Sequence, residues 1–482
     1  VTPLSPPRTD SPSRDGSPLS WHLARTVTLA WPIVISRAGL VVLFAVDTFM
    51  AGRLGGLQVA GLGLGTSPML VVTLVAMGAL QAAVVLAAQA IGRGEPEAVG
   101  DVLRAGLVNA AAFGVLLGIL AFWARPFFLA TGQEPEVAAI AADVALQFAW
   151  GLPGQLLFIT ANMILEATGR PRPGMVIMLA ANVLNLILDG VFVLGWGGLA
   201  ETGDAATAMA TSSLARWFAF ACAMGVLLTG AAADGDRYRI RADLPRWARS
   251  ALSLGGGDGS TIRRIGLPMG LGQGVETAAF SSMIFFAGLI GPAAQAAHQT
   301  TMTVMALVYM NAVGFGGAAS IRVGNAVGRR FRSDLARAGW SAIGLGAVVP
   351  ALAGMLMILE PGWIASVFVD DPRTVEIATQ TIRVAGWLVM LDSMMGVAMG
   401  ALRGLGDVWV PLWLQSAAFW FVCVPLAWVL AIRLNFGAPG LIYALGAGIL
   451  ASLALLVPRF RRVAARIAEP WPRDDRPERG TP

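Results

Sequence analysis

The sequence predicts an all-α polytopic membrane protein: twelve transmembrane helices in two six-helix lobes related by a pseudo-two-fold axis along the membrane normal. Three observations lead there. Apolar residues make up 56% of the 482 positions before the 58 Gly are counted, against ~45–50% with Gly included in soluble domains. Charged residues are 13%, roughly half the usual quarter. Long apolar runs alternate with short polar loops, as a chain threading a bilayer requires. A soluble protein of this size needs more polar surface than that. The composition therefore excludes an ordinary cytosolic enzyme, a disordered chain and a secreted disulfide scaffold.

The apolar runs place spans at 27–51, 58–91, 104–124, 137–160, 174–195 and 205–230 in the first half. In the second half they lie at 265–289, 296–325, 338–359, 375–402, 410–432 and 438–458. The longest exceed the ~20 residues that cross the hydrocarbon, so they tilt or project from it.

All 34 basic residues are Arg, and the net charge is +5. Their positions orient the chain. They crowd the two tails, the 231–264 segment and alternate loops, such as Arg329 to Arg337. Only Arg53, Arg125, Arg373 and Arg433 fall in the opposite loops, and Arg37, Arg216, Arg322 and Arg383 fall within spans. This asymmetry places both termini in the cytoplasm, as an even number of spans demands. The basic balance thus marks a membrane face and implies no nucleic-acid partner. Residues 1–20 are Pro/Ser-rich, without an apolar core and cleavage site. They read as a tail rather than a signal peptide, leaving the first span to direct insertion.

The chain also repeats. At an offset of 236, Pro32, Gly52, Gly55, Ala60 and Gly92-Arg93 match Pro268, Gly288, Gly291, Ala296 and Gly328-Arg329. At 233, Asp101, Arg104, Ala105 and Gly106 match Asp334, Arg337, Ala338 and Gly339. Shared Gly and Pro at fixed spacing imply shared backbone geometry. Six spans per half make both halves enter from one side, so the symmetry axis runs along the membrane normal. The expected domains are a disordered cytoplasmic N-tail (1–26), an N-lobe (27–230), a cytoplasmic linker (231–264), a C-lobe (265–460) and a cytoplasmic C-tail (461–482).

Four acids lie well inside spans, away from their ends: Asp47, Asp189, Glu276 and Asp392. A charged side chain at the bilayer centre costs ~2.5–3.5 kcal/mol on insertion scales, and such groups mark ion or proton paths. In Asn182-Val-Leu-Asn185-Leu-Ile-Leu-Asp189, Asn185 and Asp189 are four apart and share a helix face. An amide oxygen and a carboxylate one turn apart suit a hard cation or a proton relay. Asp143 and Glu166, near span ends, read as interfacial. Cys222 and Cys423 have no metal-ligand spacing, and two His in the chain give no His-ligated metal site.

These segments resemble a known family. Val46-Asp47-Thr48-Phe49-Met50-Ala51-Gly52-Arg53 resembles the first-helix signature of the multidrug and toxic compound extrusion (MATE) transporters. Gly266-Leu-Pro268…Glu276, Ala319-Ser320-Ile321-Arg322-Val323-Gly324-Asn325 and Leu391-Asp392…Leu402-Arg403-Gly404 resemble the NorM-type branch. The Asn182 to Asp189 segment resembles the DinF-type branch more. The resemblance runs through all twelve spans. It implies two lobes forming a V around a central cleft, with export driven by inward H⁺ or Na⁺ flow. It further implies an N-lobe cation site of Asp47, Asn185, Asp189 and Thr211, and a C-lobe pair of Glu276 and Asp392. NorM-type proteins tend to carry a Tyr one turn before the tenth-helix Asp. Leu388 stands there instead, which weakens the case for Na⁺ in the C-lobe.

The expectation is a secondary antiporter in the inner (plasma) membrane, acting as a monomer in the lipid bilayer. It exports amphipathic, cationic small molecules against H⁺ or Na⁺, with no cofactor and no catalytic residue. Two alternatives stand beside it. A flippase for a lipid-linked precursor would need Arg37, Arg216, Arg322 and Arg383 to converge on the cleft. A membrane enzyme would need clustered catalytic groups. Gly404-Leu-Gly406-Asp407 spells the GxGD of intramembrane aspartyl proteases, yet Asp407 follows Arg403 in a loop and reads as a turn.

Overall fold

The computed structural model describes residues 19–198, 203–233, 235–241, 253–254 and 256–469. Among the described residues twelve helices are long and apolar enough to cross a membrane. They are α1 (Leu19–Leu54), α2 (Gly56–Arg93), α3 (Ala98–Ala130), α4 (Pro135–Ala167), α5 (Pro171–Phe192), α6 (Ala205–Ala233), α7 (Gly256–Ile290), α8 (Pro292–Arg329), α9 (Ser333–Leu359), α10 (Pro372–Gly404), α11 (Trp409–Arg433) and α12 (Gly437–Ala468). A short helix, Pro361–Phe368, precedes α10. No strand occurs among the described residues.

Local chemistry sets several boundaries. Pro stands at the first turn of α4, α5, α8 and α10, where its missing N–H costs nothing. Asp371 caps α10 by accepting from the Thr374 N–H at 2.9 Å and its hydroxyl at 2.6 Å. Asp204 does the same for α6, accepting from the Thr207 N–H at 2.8 Å. Two π-helical stretches, Ala418–Cys423 and Val429–Arg433, flank Pro425 in α11. They re-space the ladder where a proline lacks its donor.

Two helices begin earlier than hydropathy suggests. The first starts at Leu19 rather than near 27, and the seventh at Gly256 rather than near 265. Polar residues continue a helix when neighbours satisfy them. His22 and Thr26 are buried against Arg322, and Arg263 donates to Asn109 Oδ1 at 2.9 Å and to the Leu254 carbonyl at 2.7 Å. Residues 1–18, 199–202, much of 234–255 and 470–482 lie outside the described residues, and with them most of the two tails and the middle of the linker.

The repeat is visible in the backbone. Gly55 (φ 117°) and Gly291 (φ 144°) begin the second helix of their halves in a conformation that only glycine adopts freely. Pro32 and Pro268 sit inside the first helix of each half. One large apolar cluster comes almost wholly from residues before 241, the other almost wholly from residues after 278.

The halves meet along one end. A Cβ built on Gly266 of α7 would lie 1.9 Å from the Ala79 carbonyl oxygen of α2, and one on Gly78 2.8 Å from Gly270 Cα. A Cβ on Gly92 would lie 2.3 Å from the Asn325 carbonyl oxygen, and one on Gly328 2.2 Å from that of Gln89. On α8, Gly314 meets Val34 of α1 just as closely, at 2.2 Å. All these contacts lie toward the ends that carry the Arg-rich loops. Toward the other ends the close glycine contacts of α1 and α2 stay within the first half, as where Gly39 meets Met178 and Gly61 meets Ile140.

A buried polar cluster reinforces the joint. Arg322 of α8 donates to the His22 carbonyl at 2.9 Å and to Ser341 Oγ at 3.1 Å, and it also bonds Thr26 Oγ1 and His22 Nδ1. Asp334 lies 3.5 Å from His22 Nε2 and 3.5 Å from Arg329. Its repeat counterpart, Asp101, pairs locally with Arg104 instead. The GxGD segment is a turn: Gly406 has φ 80°, and Asp407 bonds Arg459 at 2.8 Å.

Two outcomes test the joint. Gly266→Ala forces backbone apart and lowers unfolding stability in detergent by about 1–3 kcal/mol, whereas Gly63→Ala, with open space around it, leaves it unchanged. Asp334→Asn removes the anion shared by His22 and Arg329 and costs roughly 2–3 kcal/mol by the same thermal measurement.

Candidate cation-coupling sites

The first site lies wholly in the first half. Helix α1 contributes Asp47, α5 contributes Asn185 and Asp189, and α6 contributes Thr211 and Ser212. All five side chains are buried. Ser212 Oγ donates to both Asp47 oxygens, at 2.8 and 2.6 Å. Asn185 Nδ2 donates to Asp47 Oδ1 at 3.4 Å and to Ser212 Oγ at 3.3 Å. The Thr211 hydroxyl donates to Asp189 Oδ1. The two carboxyls are near enough to feel each other's charge. Like charges at that separation repel unless a cation or a proton intervenes. Two acceptors in the cluster, Asp189 Oδ2 and Asn185 Oδ1, are buried with no hydrogen-bond partner. They are where such a charge would be received.

The structure thus gathers Asp47, Asn185, Asp189 and Thr211 into one cluster. Ser212 escaped the sequence reading although it makes the tightest contact with Asp47. Its signal was weak: it neighbours Thr211 in a Thr-Ser-Ser run, and serines are common in apolar helices, where they bond their own backbone.

The second site lies in the other half. Glu276 of α7 and Asp392 of α10 are both buried at 7% exposure and feel each other's charge. Gln415 of α11 adjoins Glu276, and Arg403 at the end of α10 attracts it. Asp392 Oδ1 is buried without a hydrogen-bond partner. Tyr309 of α8 sits in the field of both acids and of Arg403. Gly396, one turn after Asp392, leaves room for it: a Cβ there would stand 3.3 Å from the phenol oxygen. A phenol therefore reaches this cluster from α8, not from the position one turn before Asp392. Leu388 occupies that position and packs against Gly446.

Two expectations need correction. Glu166, read as interfacial, is buried at 2% exposure and pairs with Arg37 at 3.3 Å while accepting from Asn162 at 2.8 Å. Local sequence could not show that α1 supplies a cation beside it. Arg403, read as a loop residue, is drawn inward at the end of α10 and donates to Gln81 Oε1 of α2 at 2.6 Å, a bond between the halves. Asp143 is exposed.

The four in-span Arg residues do not converge. Arg37 pairs with Glu166 and Arg322 with the His22 cluster, Arg216 stacks on Phe148 and Phe44, and Arg383 is exposed. Among the described residues no group of three or more His, Cys, Asp or Glu is placed to hold a metal ion.

Comparison with known proteins agrees with this architecture. A family model described as MatE matches residues 32–191 and 268–429, one segment in each half. The probable multidrug resistance protein NorM of Rhodopseudomonas palustris is 33% identical over 449 residues, 92% of each chain. The crystal structure of the eukaryotic MATE transporter AtDTX14 superposes with a TM-score of 0.81 at 18% identity, covering 94% of this chain and 99% of that one. The Vibrio cholerae MATE transporter VcmN in its bent form gives 0.80 at 16% identity, with the same coverage. Matched along two thirds of its length by the family model and along nearly all of it by a NorM relative, the chain belongs to the MatE family of membrane transporters.

Proposed function

We infer that the protein exports amphipathic, cationic organic compounds across the plasma membrane in exchange for H⁺, by alternating access. The single observation that carries the reading is the pair of buried acid clusters, one in each half of a bundle whose close glycine contacts and polar bonds between halves concentrate toward one end. Buried carboxyls with unpartnered oxygens are suited to receive a cation or a proton. Neutralising them removes their attraction for a cationic substrate and changes which packing of the halves is favoured. Substrate arriving from the other side then favours release of the coupling ion. The names of the NorM relatives, which refer to multidrug resistance, support the substrate class. The Arg asymmetry supports cytoplasmic termini, which makes the joined end the cytoplasmic one and the described conformation outward-facing. On this reading residues 27–230 and 265–460 move as lobes about the 231–264 linker, and the protein acts as a monomer.

The lipid-linked precursor flippase loses its support with the separation of the four in-span Arg. A pyrophosphate needs cations gathered in one place, and here each has its own surroundings.

The test is ethidium efflux from reconstituted vesicles, with a pH gradient and a Na⁺ gradient imposed separately. Efflux under the pH gradient alone is expected, and its loss in Asp47→Asn. Absence of efflux under either gradient would overturn the reading. In the same assay Ser212→Ala should slow efflux about tenfold, since a hydrogen bond to a charged group is worth roughly 1.5–3 kcal/mol. Thr48→Ala, whose exposed hydroxyl bonds only the Phe44 carbonyl at 2.9 Å, should leave it unchanged.

A further inference from the structure

Arg216 lies on α6 one turn beyond Ser212, the residue whose hydroxyl holds both oxygens of Asp47. It is 4% exposed. Its guanidinium stacks 4.3 Å from the ring centre of Phe148 and 5.4 Å from that of Phe44. Phe44 precedes Asp47 by three residues on the same face of α1, so the stack sets the cation beside the acid, and the two attract. No carboxylate bonds it directly. Its Nη2 points at Met209 Sδ, 3.8 Å away, and its Nε and Nη1 are buried without a hydrogen-bond partner. Gln155 Oε1, buried and equally unpartnered, lines the same small space between α1, α4, α5 and α6.

A guanidinium keeps its charge in proteins, and a buried one without an anion is costly. The other buried in-span cation, Arg322, is bonded to the His22 cluster, and the half-buried Arg37 pairs with Glu166. Among the described residues the acid that attracts Arg216 is Asp47, a member of the acid pair.

We propose that Arg216 is the resident counter-cation of the Asp47–Asp189 pair and the residue that excludes Na⁺ from it. Such a residue would set the coupling ion of the exporter proposed above, and its functional meaning rests on that reading. A hard metal cation gathers several oxygen ligands. Here Ser212, Asn185 and Thr211 already direct hydrogens at the two carboxyls, and the acceptors left without a partner are two, Asp189 Oδ2 and Asn185 Oδ1, fewer than a hard metal cation gathers. A fixed positive charge on the same cluster repels a second one. A proton needs no ligand shell, only one acceptor oxygen.

The experiment uses the purified full-length protein in detergent, with NaCl exchanged for choline chloride at constant ionic strength. Unfolding temperature and Trp fluorescence are the readouts, Trp217 being next to Arg216. Wild type should show no Na⁺ response that Asp189→Asn removes. Arg216→Gln should gain one: a dose-dependent rise in unfolding temperature of several degrees, abolished when Asp189→Asn is added. Arg216→Lys should stay indifferent to Na⁺. Arg216→Met, which keeps the apolar stacking, carries the same expectation as Arg216→Gln if the latter does not fold. A folded, uncharged variant as indifferent to Na⁺ as wild type would overturn the proposal. So would a wild-type Na⁺ response that depends on Asp189. These readouts need no transport, so failure of ethidium efflux counts against the exporter reading and not against the role of Arg216.

Discussion

At Gly266 the backbone of α7 comes so near Ala79 of α2 that no methyl group fits between them. Helices in a bilayer gain little from hiding apolar surface, because lipid tails are as apolar as leucine. What joins them is close packing and polar bonds between them. Glycines on α2, α7 and α8 supply the first. Arg322 and Asp334 around His22, with Arg403 on Gln81, supply the second. Both kinds of contact concentrate toward one end of the bundle. Each acid cluster is therefore built by helices of a single half, and neither spans the joint.

The two halves share a backbone and not a chemistry. Gly55 and Gly291 open equivalent helices with the same unusual conformation. The acids do not follow. At the repeat offset Asp47 corresponds to Met283, and Glu276 corresponds to Leu40. The polar neighbours differ as well: two hydroxyls and an amide donate to the first pair, whereas an amide adjoins the second and a phenol and a guanidinium lie in its field. Backbone geometry is what duplicated packing requires, whereas the polar groups answer to each cavity separately. Two such unlike sites in one frame have no reason to bind the same ion equally well.

The acids were legible from sequence because a carboxyl in an apolar span is expensive and so conspicuous. Asn185 was legible through its four-residue spacing from Asp189. Ser212 and Tyr309 were not, since a serine or a tyrosine in a membrane helix is unremarkable until a neighbour is known. Glu166 misled for the opposite reason: it lies near a span end, where an acid usually meets water, but α1 brings Arg37 against it. The early starts of α1 and α7 have the same origin. Hydropathy falls where polar residues begin, yet the helix continues because Arg322 and Asn109 satisfy those residues.

By itself the sequence determined that the chain carries twelve stretches able to cross a bilayer, in which alternate loops its arginines gather, that its halves repeat, and which carboxyls lie in apolar spans. These follow from composition and from spacing along one helix, both local properties. Tertiary structure alone decided which end of the bundle is joined, which hydroxyl meets which carboxylate, and that the four in-span arginines stand apart. Each of those depends on contacts between helices distant in the chain. In a medium without water every buried polar group must find its partner inside the protein, and only the packed fold says which partner is near.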